Sequence, residues 1–229
     1  MESAQRSPRQ LLKPVAIRWL AVLVVLIVLL FAPAWTFDFW QAWVYAGVVF
    51  IPFTCAATYL LLTDPALIER RMRTQEREPQ QKWVVLLTVI WYLLIFVFPG
   101  LDRRFGWSSV PAAIVLGTDL LVFLGYLLIF FVLRENSYAS RVVEVEQGQK
   151  VISSGPYAIV RHPMYVGTLV MFVLTPLALG SGWGLIVALP LIPVLMARIL
   201  NEEKVLAAEL PGYPAYMQKV RYRLVPGIW

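Results

Sequence analysis

Of the chain's 229 residues, one is cysteine and one is histidine. A single thiol, Cys55, closes no internal disulfide, and without a Cys/His cluster no ligand set for a zinc site exists. Cys55 lies inside an apolar run and reads as a small buried hydrophobe. With His162 alone, a histidine-rich metal site or proton relay is excluded. Charge is also scarce: 15% of residues are charged and 59% are hydrophobic, a balance that points away from a soluble domain and toward a membrane protein. The formal net charge of +6 comes from basic residues set between apolar runs, where the positive-inside rule accounts for them and anionic lipid heads are a further partner. No basic groove or base-stacking module is readable, so nucleic acid is not an expected partner. Internal repeats and low-complexity segments are absent as well.

What the chain has in quantity is long apolar runs. A spanning helix needs ~20 apolar residues. Candidates cover residues 16–34, 41–63, 83–101 and 110–133. The stretch 164–200 is too long for one helix, and the glycine cluster at Gly180, Gly182 and Gly184 breaks it near its centre into a helical hairpin. Residues 64–82 read as a polar loop with room for a short surface helix. The expected fold is all-α: a polytopic transmembrane helical bundle of four single spans, a C-terminal hairpin and an amphipathic tail helix, forming one membrane domain over 1–229. The first run follows basic residues, and Ala32-Pro33-Ala34 has the look of a small-residue cleavage site. Its long apolar core and the proline between the alanines argue instead for a retained helix.

Orientation follows from the basic residues. Arg6, Arg9, Lys13 and Arg18 precede the first span, and Arg70, Arg71, Arg73, Arg77 and Lys82 lie between the second and third. Arg134, Arg141, Lys150 and Arg161 follow the fourth, and Lys204, Lys219, Arg221 and Arg223 mark the tail. The loop 36–40 has none, and the third loop has Arg103 and Arg104. Both termini are therefore expected on the cytoplasmic face, in a bacterial inner membrane.

The densest chemical signal is the segment 153–167, SSGPYAIVRHPMYVG. Pro163 biases His162 away from helix and suits the first position of the helix that follows. A helix start there offers unpaired N–H groups and a positive dipole end to an anion. Arg161 and His162 flank it, Tyr157 and Tyr165 add aromatic faces, and Gly155-Pro156 marks the turn leading in. The segment suits a ligand with a carboxylate, a flat base and a positive centre. Each residue taken alone also suits an ordinary turn at the membrane boundary, with a snorkelling arginine and interfacial tyrosines.

Further along, Arg198 and Glu202 stand four apart and share a helix face, at an end that a closed hairpin returns beside Arg161 and His162. A solvent-facing helix end with a weak ion pair is the other reading. In the tail, Tyr213, Tyr216, Val220 and Leu224 form a rough apolar stripe, read as a helix on the membrane surface and alternatively as a lid on a pocket. Asp119 lies within the fourth run, where a carboxylate is a functional candidate; a structural or interfacial role is preferred. Residues 136–141 read as a polar turn that could also touch a substrate head group.

Residues 155–167, the pair Glu202-Glu203 and residues 212–226 together resemble the isoprenylcysteine carboxyl methyltransferase family and the related phospholipid N-methyltransferases. The resemblance covers residues 134–229, which would form the cofactor-binding half behind the spans of 1–133. It implies an S-adenosylmethionine-dependent methyltransferase with no soluble Rossmann domain. It places Gln149, Lys150, Val151, Ile152 and Tyr157 beside S-adenosylmethionine, with Arg161, His162, Pro163, Met164 and Tyr165 cradling it. Glu202 and Glu203 would complete the cofactor site, and Arg198 would face the methyl acceptor, so that Arg198 and Glu202 carry the catalytic roles. The implied acceptor is small or lipophilic, a carboxylate on a prenyl-thiol-like molecule. A lipid or amine nitrogen and a small thiol are alternatives, and the chain's shortness puts a prenylated protein in doubt. Outside enzymes, a transporter is disfavoured by spans almost free of interior charge, and a non-catalytic membrane scaffold remains open.

Overall fold

The computed structural model describes residues 7–72, 79–140, 142, 145, 146 and 148–229, with backbone alone for 79–82. Every regular element among them is helical. In order they are α1 (Pro8–Ala34), α2 (Trp40–Thr63), α3 (Pro65–Arg71), α4 (Pro79–Phe105), α5 (Ala112–Glu135), a 3-10 turn (Gly155–Ala158), α6 (Pro163–Ala178), α7 (Gly182–Ala188), α8 (Leu191–Glu209) and α9 (Tyr213–Lys219). Five stretches are long and apolar enough to cross a membrane: α1, α2, Trp83–Phe105 of α4, α5, and Gly182–Glu209 across α7 and α8. The polytopic helical fold expected from the apolar runs is therefore present. Arg6, Arg73, Arg77 and Arg141, counted above toward orientation, lie outside the described residues, as does the Lys82 side chain.

The helix ends obey local chemistry. Pro8, Pro65 and Pro163 each open a helix, where a missing N–H costs nothing. The Asp64 carboxylate accepts from Leu67 N at 3.0 Å and caps α3, the short helix foreseen between the second and third spans. The hairpin breaks where the glycines stand, and its second arm is broken again at Leu189-Pro190, because a proline cannot extend α7. At this far end the buried Asp102 carboxylate accepts from Ser108 N at 2.7 Å, from the Ser108 hydroxyl at 2.6 Å, and from the Ser181 hydroxyl. Ser181 in turn caps α7 by accepting from Gly184 N at 3.0 Å. One carboxylate thus ties α4, the loop after it and the hairpin turn together.

The core lies in the far half, where Leu30 and Phe31 of α1, Tyr45 of α2, Val122 of α5 and Met171 of α6 pack in one cluster. The tightest approach joins α5 to α6. A Cβ on Gly167 would lie 2.6 Å from the Gly125 carbonyl oxygen, and one on Gly125 would lie 3.0 Å from that of Gly167. Small residues let membrane helices approach this closely. At 16 residues α6 is ~24 Å long, short of the ~30 Å apolar layer. Its first turn meets α8 at Arg198 and Glu202, leaving the last turns of α8 to run past it. The start of α6 therefore opens inside the bundle rather than at its rim.

Three residues or stretches weighed in the sequence take definite places here. Cys55 is exposed on the outer face of α2, not buried, because the apolar run around it faces outward there. Asp119 faces the packed interior: it is 3% exposed, and neither carboxylate oxygen has a hydrogen-bond partner among the described residues. The tail stripe is real, but α9 ends at Lys219, and Tyr213, Tyr216, Val220 and Leu224 are all buried against the protein rather than laid on a membrane surface.

The glycine contact yields a direct test. Gly167→Ala should cost ~1–3 kcal/mol through overpacking, lowering the midpoint of thermal unfolding in detergent. Gly117→Ala on the same helix pair, with nothing within 4 Å of the added carbon, should leave it unchanged. Equal midpoints for both variants would refute close packing as the reason for Gly167.

Candidate active site

The polar centre of the molecule is built on Glu203. This α8 residue is 4% exposed, and its carboxylate accepts from Arg161 Nε at 2.7 Å, from His162 Nε2 at 3.1 Å, and from Arg223 Nε at 2.8 Å. Beside a carboxylate that two guanidinium groups keep ionised, Nε2 of His162 must carry the hydrogen. Arg161 also donates to the carbonyls of Met217 and Val220, at 3.3 and 3.1 Å. The backbone N–H groups of Arg161 and His162 donate to the carbonyls of Tyr222 and Arg223, at 2.9 and 3.0 Å. The Arg-His pair and the tail are thereby locked to α8, and His162 is set as the cap before Pro163.

One residue earlier on α8, Glu202 faces another way. The Tyr165 hydroxyl donates to its Oε2 at 2.6 Å and accepts from Arg198 Nε at 2.9 Å. The Arg198–Glu202 face read from their spacing is thus joined through a tyrosine from the first turn of α6. On the remaining wall, Asn136 Nδ2 donates to the Tyr157 hydroxyl at 3.0 Å, and the Tyr216 hydroxyl donates to the Tyr157 carbonyl at 2.8 Å. Gly155, with φ of +54°, makes the turn beneath Tyr157, where a Cβ would crowd the Glu135 carboxylate at 3.1 Å. Burial pushes the Tyr157 hydroxyl up to about 12, with the Asn136 hydrogen bond opposing it, and burial raises Tyr213 and Tyr216 as well. These phenols stay protonated at neutral pH, so none of them is a base.

These walls enclose a cavity of about 490 Å³. One end is lined by Gln149, Lys150, Val151, Ile152, Tyr157, Arg161, His162, Arg198 and Glu202, with Pro163, Met164 and Tyr165 at its floor. The other end runs between helices and is lined by Val85, Val89 and Tyr92 of α4, Tyr126 and Ile129 of α5, and Met171 and Phe172 of α6. Within that end Tyr92 stacks on Phe172 at 4.1 Å. Val89 lines the cavity yet is 48% exposed, so the apolar end reaches the outer surface of the bundle.

Residues 112–210 match the model of the phospholipid methyltransferase family. That segment, less than half of the chain, is what resembles the family. It contributes most of the cavity's polar end and all of α5, α6 and α8. No curated protein matches the chain. A solved structure titled as the eukaryotic intramembrane Ras methyltransferase, isoprenylcysteine carboxyl methyltransferase, is similar at 16% identity. The likeness covers 93% of this chain and 84% of that one with a TM-score of 0.48. A likeness of that strength bears on neither site nor substrate.

Each residue that the resemblance assigned to the cofactor or acceptor lines the cavity except Glu203, which stands behind the wall and holds Arg161, His162 and Arg223. Three residues of the site escaped the sequence reading. Arg223 was one basic residue among several in the tail, and the signal available was the second glutamate of a pair needing a cation once buried. Tyr213 was counted in the apolar stripe, yet its hydroxyl is buried at the cavity without a partner. Arg71 was read for orientation alone and lines the cavity from α3. The stretch after α5, read as a polar turn, also contributes to the wall through Asn136, Tyr138 and Ser140.

Removing one partner from a buried charge network leaves the others uncompensated, at ~3–5 kcal/mol. Glu203→Ala should therefore unfold at a much lower temperature than wild type, while Glu209→Ala at the exposed end of α8 should match wild type. A wild-type midpoint for Glu203→Ala would remove the carboxylate from its central place.

Proposed function

We propose that the chain is an S-adenosylmethionine-dependent methyltransferase that methylates a carboxylate on a lipophilic acceptor. The observation carrying this reading is the two-ended cavity: a polar chamber within the family-matched segment, continuous with an apolar cleft that reaches the bundle surface at Val89. Its volume is in the range of small-molecule sites, ~300–1,000 Å³. The residues present suit the cofactor. The start of α6 offers a positive dipole end to the methionine carboxylate. Glu202 offers an anion to its ammonium, and the unpartnered Tyr213 hydroxyl offers a hydrogen bond that nothing in the protein uses.

S-adenosylmethionine supplies a methyl group on a sulfonium, ready for in-line displacement. The chain's own work is positional. Tyr165 fixes Arg198 against Glu202, so a guanidinium is set rigidly at the inner side of the polar chamber, where it can orient the acceptor's carboxylate. A carboxylate oxygen forms the new bond to the methyl carbon as the carbon–sulfonium bond breaks and the neutral thioether leaves, with no proton to lose, whereas an amine or thiol acceptor has a proton to shed. Aromatic side chains and the apolar cleft exclude water, which strengthens the attraction between a cationic donor and an anionic acceptor. The acceptor would enter sideways from the bilayer past Val89. The polar chamber and both termini would face the cytoplasm in a bacterial inner membrane, since basic residues collect at that end. Residues 134–229 would then act as the cofactor-binding half and 1–133 as its membrane scaffold.

Calorimetry on the detergent-purified protein should show saturable S-adenosylmethionine binding. Glu202→Ala should weaken it tenfold or more and Tyr213→Phe by roughly several-fold, as expected for a charged and a neutral hydrogen bond. Tritium from the methyl-labelled donor should appear in the base-labile methyl ester of a farnesyl-thioether carboxylic acid. Folded wild-type protein that binds no donor would end the enzymatic reading in favour of a scaffold.

A further inference from the structure

The cleft that runs between the helices is not uniformly apolar. Thr88 of α4, Tyr126 of α5 and Thr168 of α6 each bring a hydroxyl to its wall. The two threonines spend theirs at home. Thr88 donates to the Val84 carbonyl at 2.7 Å and Thr168 to the Met164 carbonyl at 2.9 Å, each one turn back on its own helix. The Tyr126 hydroxyl makes no hydrogen bond among the described residues. Its ring is partly buried against the core cluster, and it lies within electrostatic reach of Arg71, another residue of the cavity wall.

Gly125, one residue earlier, sets the depth. A Cβ there would lie 3.0 Å from the Gly167 carbonyl oxygen and 3.0 Å from Met171 Cγ, so this part of α5 stands level with residues 167–171 of α6. Those residues are four to eight positions past Pro163, which sets Tyr126 ~6–12 Å along α6 from the helix start that floors the polar chamber. Around it the wall is made by Val85, Val89, Ile129, Met171 and Phe172. Water serves a phenol in an unliganded cleft. A hydrocarbon chain entering the cleft displaces that water and strands the hydroxyl in apolar surroundings, a loss that a chain carrying an oxygen at the same depth avoids. A site with a hydrogen-bonding group to satisfy discriminates strongly against ligands that lack the partner, whereas apolar walls alone tell chains apart poorly.

We propose that Tyr126 is a specificity-determining residue of the acceptor site, its hydroxyl donating to a neutral carbonyl or ether oxygen in the stem of the acceptor, several bonds behind the reacting head. The acceptor class is thereby narrowed from a lipophilic acid to a lipophilic acid with an oxygenated stem. The identity of the head rests on the methyl-transfer reading above, while the stem contact depends on the cleft alone.

The test uses the full chain in lipid nanodiscs and a set of fatty acids of equal length: the plain acid, and isomers bearing one keto oxygen at successive positions along the chain. Affinities are read by calorimetry in the absence of donor, after subtraction of partitioning into empty nanodiscs. Wild type should bind at least one keto isomer about five- to fiftyfold more tightly than the plain acid. Tyr126→Phe should erase that preference, weakening the favoured isomer and tightening the plain acid, a reversal that loss of packing alone does not produce. A preference that survives in Tyr126→Phe, an equal loss for every acid, or a wild type that binds no keto isomer better than the plain acid would overturn the proposal. If Tyr126→Phe does not fold, Tyr126→Met, which also lacks the hydroxyl, decides by the same comparison. Absence of donor binding by wild type would bring down the methyltransferase reading alone, because the acids are compared without donor.

Discussion

A carboxylate placed where water cannot reach must be met by positive charge from the protein, and in this molecule Glu203 imposes that demand. Its partners come from three places in the chain: Arg161 and His162 before α6, and Arg223 from beyond α9. Meeting it draws the tail back across the bundle, orients the imidazole, and fixes the point at which α6 begins. The network is balanced in the sense that matters for buried ions: every oxygen of Glu203 accepts, and Arg161 also donates to two carbonyls of the tail. Tyr213 and Tyr216 are carried to the cavity by the same closure. Their stripe found protein to bury against because the ion network had already brought the tail over.

The two neighbouring glutamates divide the work by helix geometry. Successive residues on an α-helix point about 100° apart, so Glu203 turns into the packed interior while Glu202 faces the cavity. The same division recurs on α3, where Arg70 anchors a loop and Arg71 faces the chamber. On α8 and α3 one residue supports and its neighbour is presented, while on α6 both residues line the cavity and each meets an arginine, Met164 touching Arg71 and Tyr165 holding Arg198. A rigid first turn of α6, with two guanidinium groups braced against it, is the kind of preorganisation that lets a site act by placement rather than by proton transfer.

Opposite ends of the bundle follow different physics. At the far end the helices converge on an apolar core, closed by Asp102 and its serine donors. At the basic end the apolar arm of the cavity lies among α4, α5 and α6. A soluble protein would lose stability by leaving Val89 and its neighbours uncovered. Within a bilayer, acyl chains cover them without penalty, so a lateral opening is tolerated.

Sequence alone determined the helical membrane architecture, the hairpin break at the glycines, the helix start at Pro163 and most residues of the polar chamber, because hydropathy, proline and glycine act locally and short motifs keep their residues together. It also singled out Arg198 and Glu202, whose four-residue spacing is legible on any helix. The tertiary structure decided what spacing cannot show. That Glu203 faces inward and Glu202 the cavity depends on the rotation of α8 against α6, set by packing at Tyr165. That Arg223 closes the network, Tyr213 reaches the chamber and Arg71 enters it from α3 depends on contacts between segments far apart in the chain, and no local pattern encodes which of many basic residues a buried carboxylate will draw in. Cys55 and Asp119 illustrate the same limit: in a membrane both faces of a helix are apolar, so composition identifies a span without saying which side of it is inside.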